Sequence, residues 1–164
     1  NMNIFILDEN PVIAAQAQCD KHVVKMVLES AQMLSTTHHL LDDVPNDSVF
    51  YKPVHKNHPC TIWTRKSSGN YLWHFLHFTA LCHEYQHRYG KIHKTDQRLR
   101  STLSKLPANI THGPRTPFAL ALGDHADCLC DSAVETYRAY YHTKQHRFDM
   151  RWTKRPTPSW FQRD

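Results

Sequence analysis

The chain has 164 residues, with 20 Lys or Arg against 15 Asp or Glu, 14 His and a net charge of +5. That is the length of one ordinary domain. No apolar run approaches the 18 or so residues a membrane span needs, and with 4 Gly and 9 Pro the composition excludes collagen-like and low-complexity chains.

Asn3 to Leu7 is a short apolar run, a strand or an extended lead-in, and residues 1–7 are expected to be extended. This opening has neither a basic region nor a long apolar stretch, so it does not read as a signal peptide. Asp8-Glu9-Asn10-Pro11 is helix-start chemistry, with Pro suited to the first turn. From Val12 to about Leu41 the spacing predicts one helix. Val23, Val24, Val27, Leu28, Ala31 and Leu34 form an apolar stripe with a 3.6-residue period, and His22, Lys25, Glu29 and Gln32 form the opposite, ionisable stripe. Asp42 to Lys56 is a polar connection. Asn57-His58-Pro59-Cys60 opens a second long helix, from about Ile62 to Tyr89, with Tyr71, Phe75, Phe78, Cys82, Tyr85 and Tyr89 on its buried face and Gly90 as its cap.

Asp96 to Leu106 reads as a short basic helix, Pro107 to Pro117 as loop, Phe118 to Leu122 as a short helix and Asp131 to about Arg147 as a third long helix. Residues 152–164 form an extended basic and aromatic tail. The expected architecture is mainly α: a single compact domain, 1–164, of about three long helices with a basic face. Cys19, Cys60, Cys82, Cys128 and Cys130 make an odd count, which points to reduced thiols and a cytoplasmic setting.

The charge is clustered. Arg88 to Arg115 holds seven Lys or Arg against one Asp, and His142 to Asp164 holds six against two, interleaved with aromatic residues. Such stretches suit an anionic partner, nucleic acid above all. No G-x-G-x-x-G, Walker loop or G-x-S-x-G is present.

Two constellations carry chemistry. The first is Asp20-x-His22-x6-Glu29, a carboxylate on a helix face beside Lys25. The bland reading of Lys25 and Glu29 is a surface i, i+4 pair. The second is His83-Glu84-Tyr85-Gln86-His87-Arg88-Tyr89-Gly90-Lys91-Ile92-His93, which fits H-E-x-x-H-x-x-G-x-x-H letter for letter. Two His at i and i+4 can share a zinc ion, with the Glu as general base and a third His after the Gly turn. The helical residues before it, and a single later methionine, Met150, are poor surroundings for such a protease. Zinc hydrolysis through His83, His87 and His93 is an alternative, and the main reading assigns no metal.

Asn57-His58-Pro59-Cys60-Thr61-Ile62-Trp63, Asn70-Tyr71-Leu72-Trp73, Glu84-Tyr85 with Arg88-Tyr89-Gly90-Lys91 and His93-Lys94, the Met2, Ile4, Phe5 opening and the Arg155-Pro156-Thr157-Pro158-Ser159-Trp160-Phe161 ending together resemble proteins of the pyrimidine-dimer DNA glycosylase type, relatives of phage endonuclease V. The resemblance implies a DNA glycosylase with abasic-site lyase activity, acting on damaged or modified double-stranded DNA as a monomer without a cofactor. Its nucleophile would be the N-terminal amine, expected at Met2, where a natural chain begins. Glu29 would be the supporting carboxylate and His22 a further catalytic group. The residues expected on DNA are Lys21, Lys25, Arg88, Lys91, Lys94, Arg138, Lys144, Arg155 and Trp160, with Trp152 as another stacking residue. A DNA-binding protein without catalysis is the remaining alternative. The lesion is left open.

Overall fold

The computed structural model describes residues 2–164. Its first element is not helical. Met2 to Leu7 runs in extended form through the interior, all six residues buried, because four consecutive apolar residues from Ile4 to Leu7 leave no face for solvent. The polar backbone of this segment is satisfied from outside it. Asn3 Nδ2 donates to Ala121 O at 2.8 Å, Gln18 Nε2 to Ile4 O at 3.2 Å and Arg138 Nε to Leu7 O at 3.0 Å.

Six helices follow: α1 (Pro11–Gln16), α2 (Asp20–Asp42), α3 (Pro59–Lys66), α4 (Ser68–Tyr89), α5 (Lys94–Leu103) and α6 (Ala133–Thr143). No strand occurs among the described residues. The fold is mainly α, as expected. The long helices α2 and α4 pack on each other, and α1, α3 and α5 pack around them.

The boundaries follow tertiary demands. Asn10 caps α1, its Oδ1 accepting from Val12 N and Ile13 N with Pro11 in the first turn. The single helix expected from Val12 to Leu41 breaks at Gln18 and Cys19, because Cys19 N donates to Tyr141 Oη at 2.8 Å and Asp20 N to Arg151 O at 2.7 Å. The second long helix also divides. Ser67 is extended, its hydroxyl accepting from Asn70 N and donating to Pro114 O. A Cβ on Gly69 would collide with the backbone of Pro114 and Arg115, so glycine lets this loop lie on α4. Gly90, at φ 70°, ends α4 in the left-handed conformation expected of a cap.

Phe118 to Leu122 is irregular rather than helical. Its backbone is held by side chains instead: Ala121 N donates to Tyr137 Oη, whose hydroxyl reaches Ala119 O. α6 stops at Thr143 and passes into a 3₁₀ turn, Lys144–His146. The tail is irregular but docked, with Trp152 Nε1 donating to Ala17 O at 2.8 Å and Phe161 buried.

Val23, Val27, Ala31 and Leu34 are core, whereas Val24 and Leu28 are about two-fifths exposed. Tyr89 is likewise at the surface rather than on the buried face of α4. The high histidine count is partly a core feature. His38 bonds Tyr71 Oη at 2.7 Å, His74 bridges Thr64 and Ser30, and His77 lies between Gln18 and Pro11 O. Burial keeps these imidazoles neutral, with His38 and His77 pushed down to about 4.

Candidate active site

Glu29 lies on the face of α2 covered by the N-terminal segment. It is 8% exposed, although it belongs to the stripe expected to be ionisable. Its Oε2 is 3.7 Å from Lys25 Nζ, and the backbone amide of Asn3 faces the carboxylate. Its Oε1 is buried and has no hydrogen-bond partner among the described residues. Burial raises its pKa above the ordinary glutamate value, and Lys25 and the Asn3 amide only partly oppose that.

The segment over it is clamped in an uncommon conformation. Phe5 has φ 59°, a left-handed backbone that a non-glycine residue adopts at a cost on the order of 1–3 kcal/mol. The Asn3 carboxamide holds it there, its Oδ1 accepting from Ile4 N at 2.9 Å and Phe5 N at 3.1 Å. The Phe5 ring then stacks on His22, with centroids 4.5 Å apart.

His22 is buried, and its Nδ1 is 2.8 Å from Tyr141 Oη. Burial, then Lys144, Lys25 and Lys21, push its pKa down to about 3. It is a neutral imidazole at neutral pH, able to orient or to accept a hydrogen bond but not to supply charge.

Two clefts meet at Asn3. One, of about 190 Å³, is walled by Lys21, Lys25, Lys144 and Arg147 over a floor of Phe5, His22, Tyr140 and Phe148. The other, of about 250 Å³, is lined by Met2, Asn3, His55, His58, Ala121 and Tyr140. Met2 is buried and its backbone faces His58. The structure therefore brings Met2, His22, Lys21, Lys25, Glu29 and Lys144 to one locality. Asn3, Phe5, His58, Tyr140 and Arg147 join them; Phe5 and His58 entered the sequence reading only through the family resemblance, and Asn3, Tyr140 and Arg147 were not named as site residues. Asn3 had a readable signal, a lone amide inside an apolar run.

The other expected DNA contacts lie elsewhere. Lys91 and Lys94 are exposed near the start of α5. Arg138 is fixed by Leu7 O and Asp8, over the Trp160 ring at 5.2 Å. Trp160 packs on Tyr141 and His142. Trp152 is buried against Ala17. Arg88 and Arg155 both pair with carboxylates of the fold. Arg88 is buried, donating to Glu84 Oε2 at 2.9 Å, Asp20 Oδ1 at 3.0 Å and Gln16 O at 3.0 Å. Arg155 forks onto Glu84 at 2.8 and 2.9 Å. The Arg88 guanidinium is spent inside the fold, whereas the Arg155 side chain stays 31% exposed.

The same ion pairs occupy the Glu of H-E-x-x-H. Glu84 accepts from two arginines, His83 faces Arg100 Nη1 at 2.8 Å, His87 faces Lys154 O and His93 caps α5 through Thr95 N. Among the described residues, the group whose ligand atoms lie within metal-sharing distance is His125, Asp127 and Cys128, not His83, His87 and His93. Among the described residues, no helix is long and apolar enough to cross a membrane.

The family model for pyrimidine dimer DNA glycosylases matches residues 2–98, more than half of the chain. The chain belongs to this family. Nothing among curated proteins and nothing among solved structures matches it. The matched segment of this family member includes the N-terminal strand-like lead-in, Glu29 and its helix, and all of α4. The residues that close the basic cleft from the far side, Tyr140 to Phe148, lie beyond it.

Proposed function

We propose that this chain excises a damaged or modified base from double-stranded DNA and then nicks the abasic strand. Its nucleophile is the α-amine of a chain that begins at Met2, and it acts as a monomer. The observation that carries this reading is Glu29: a carboxylate of a glycosylase family member, buried beneath the N-terminal segment, with one oxygen left without a partner among the described residues. Such an oxygen is costly to keep in a fold and is what a reaction at the chain terminus would use.

An α-amine has an ordinary pKa of about 7.7–8.0, against about 10.4 for a lysine, so it is partly neutral and nucleophilic at physiological pH. Its nitrogen lone pair attacks C1′ of the extruded nucleotide. The C1′–N glycosidic bond breaks, and the base leaves with that electron pair and takes up a proton. The amine loses a proton and the C1′–O4′ bond opens, giving an iminium ion and a protonated O4′. Glu29, protonated more readily than an ordinary glutamate, supplies the proton to O4′. The resulting carboxylate then takes a proton from C2′, and β-elimination expels the 3′-phosphate. Water finally hydrolyses the imine and frees the amine. Extrusion costs a few kcal/mol and is least costly at damaged positions. The exposed Lys21, Lys25, Lys91 and Lys94 provide the phosphate attraction that holds the duplex.

The test is borohydride reduction during reaction with duplex DNA carrying an abasic site, using protein that starts at Met2. A covalent adduct mapping to the N-terminal peptide, and lost when the amine is blocked, is expected. Strand nicking with no adduct, or an adduct that survives blocking, would overturn the assignment of the nucleophile.

A further inference from the structure

Residues 116–137 hold four carboxylates, Asp124, Asp127, Asp131 and Glu135, and no Lys or Arg, in a protein of net charge +5. Glu135 is used locally, accepting from Ser132 Oγ. The two arginines that flank the stretch turn elsewhere, Arg115 to Glu9 and Arg138 to Asp8. The middle of the stretch is thus an electronegative patch without a basic partner among the described residues, a poor surface for DNA and a good one for a cation.

Local winding concentrates ligands there. His125 N donates to Leu122 O at 2.9 Å, Cys128 N to His125 O at 2.9 Å and Leu129 N to Ala126 O at 3.1 Å, with Gly123 at φ 54° opening the turn. The ligand atoms of His125, Asp127 and Cys128 consequently lie within 4.8 Å of one another. Their side chains form no hydrogen bond or ion pair among the described residues. A second thiol stands two residues further on. Cys130 is exposed, and its Sγ donates to Cys128 O at 3.2 Å.

Imidazole, carboxylate and thiols that bind as thiolates are the donor set of a borderline-soft divalent cation, whereas calcium and magnesium take oxygen ligands. On a tetrahedral zinc ion with bonds of about 2.0–2.3 Å, neighbouring ligand atoms stand about 3.3–3.8 Å apart. The three atoms need to draw together by only about 1 Å to meet that geometry, a movement within reach of side chains at the surface. The H-E-x-x-H segment has no such freedom, because Glu84 is held by Arg88 and Arg155.

We infer that His125, Asp127 and Cys128 form a zinc site, completed by Cys130, that ties the turn 122–130 into one conformation. All four residues lie beyond the family-matched segment. Four protein ligands make a closed, structural site rather than a catalytic one. Its place explains its use. The chain from Phe118 to Leu129 is irregular apart from one 3₁₀ turn, and it adjoins the N-terminal segment: Asn3 Nδ2 donates to Ala121 O, Gly123 lines the cleft that holds Met2, and the His125 ring lies 5.6 Å from that of Tyr140. The inference stands independently of the amine mechanism.

The experiment titrates the full chain, with its thiols reduced and metal stripped by chelator, first with Co²⁺ and then with Zn²⁺. One equivalent of Co²⁺ should give the visible and thiolate charge-transfer bands of a tetrahedral site, and one equivalent of Zn²⁺ should erase them. Zinc should raise the melting temperature of wild type, as any ligand of the folded state alone does. Cys128→Ser, His125→Ala and the milder Asp127→Asn should melt like wild type without metal. The first two should weaken zinc by more than about 100-fold, beyond the cost of losing an outer-shell partner. Cys130→Ser should keep the cobalt site with a weaker charge-transfer band, and His83→Ala should bind as wild type does.

Absence of a saturable one-equivalent band would overturn the site, as would a band retained in Cys128→Ser or lost in His83→Ala. Zinc that binds without raising the melting temperature would overturn its structural role. Borohydride trapping separates this inference from the glycosylase reading: the adduct should form in excess chelator, and an adduct that needs zinc would make the metal part of the reaction and overturn the assignment as a tie.

Discussion

Glu29 and Glu84 are the same residue type, each on a long helix and each largely withdrawn from water, at 8% and 2% exposure. Their surroundings are opposite. Glu84 receives three hydrogen bonds from Arg88 and Arg155, and Arg88 carries the network on to Asp20, whose carboxylate also accepts from Thr153 N and Oγ1. Burial alone would raise the Glu84 pKa, but the Arg155 and Arg88 bonds outweigh it and hold the group below the ordinary range. Glu29 has one cation at 3.7 Å, an oxygen without a partner among the described residues and a raised pKa. A carboxylate with both oxygens held by arginines is structural: it ties α4 to α2 and to the tail. One held half-satisfied beneath the N-terminal segment is a candidate for chemistry.

Exchanging each glutamate for its neutral isostere separates the two roles. Glu29→Gln should lower excision and nicking by about 10²- to 10⁴-fold, the usual contribution of a proton-transferring group, with duplex affinity and melting temperature nearly unchanged. Single-turnover rates and a binding titration check it, and undiminished nicking would remove Glu29 from the mechanism. Glu84→Gln should do the reverse. It leaves Arg88 buried with a broken network, a change worth about 3–5 kcal/mol of stability, read as a shift in urea midpoint. Folded Glu84→Gln should turn over at the wild-type rate. A rate loss without a stability loss would mean that the H-E-x-x-H segment takes part in the reaction.

The contrast also shows what the sequence could carry. The helical class and the end signals Asn10, Pro11 and Gly90 follow from local chemistry, and they stand where they were expected. Glu29 could be singled out because Asp20-x-His22-x6-Glu29 is a local pattern on one helix. The H-E-x-x-H letters record spacing and not partners: Arg155, which pairs with Glu84, is 71 residues away. The break at Cys19 needed Tyr141, 122 residues distant. The wall of the basic cleft was legible only in part: Lys144 was expected on DNA, whereas Tyr140 and Arg147 meet α2 from a distant part of the chain. The exposure of Val24 and Leu28 records a helix whose two faces are both partly covered, one by α4 and the other by the N-terminal segment, so that its apolar stripe does not coincide with its buried one.

The smallest effect expected is the most diagnostic, because its sign differs between the two sites. Glu84 has a lowered pKa, so its stabilisation is complete above the ordinary value near 4.5 and is lost as pH falls through the lowered one. Glu29 has a raised pKa, so its contribution is complete below the ordinary value and is lost as pH rises through the raised one. Relative to wild type, then, Glu84→Gln should become increasingly destabilised with rising pH, whereas Glu29→Gln should become increasingly stabilised. His22 provides an internal reference present in all three proteins. Its pKa falls from 6.5 to about 3, so its contribution is complete above 6.5 and is lost toward about 3. It bends every curve alike and cancels in the differences. Urea unfolding measured between about pH 3 and pH 8, which brackets the carboxylate and histidine ranges, should give two difference curves that diverge as pH rises. Parallel curves would mean that the two carboxylates are held alike, and the division between a structural and a reactive glutamate would fall.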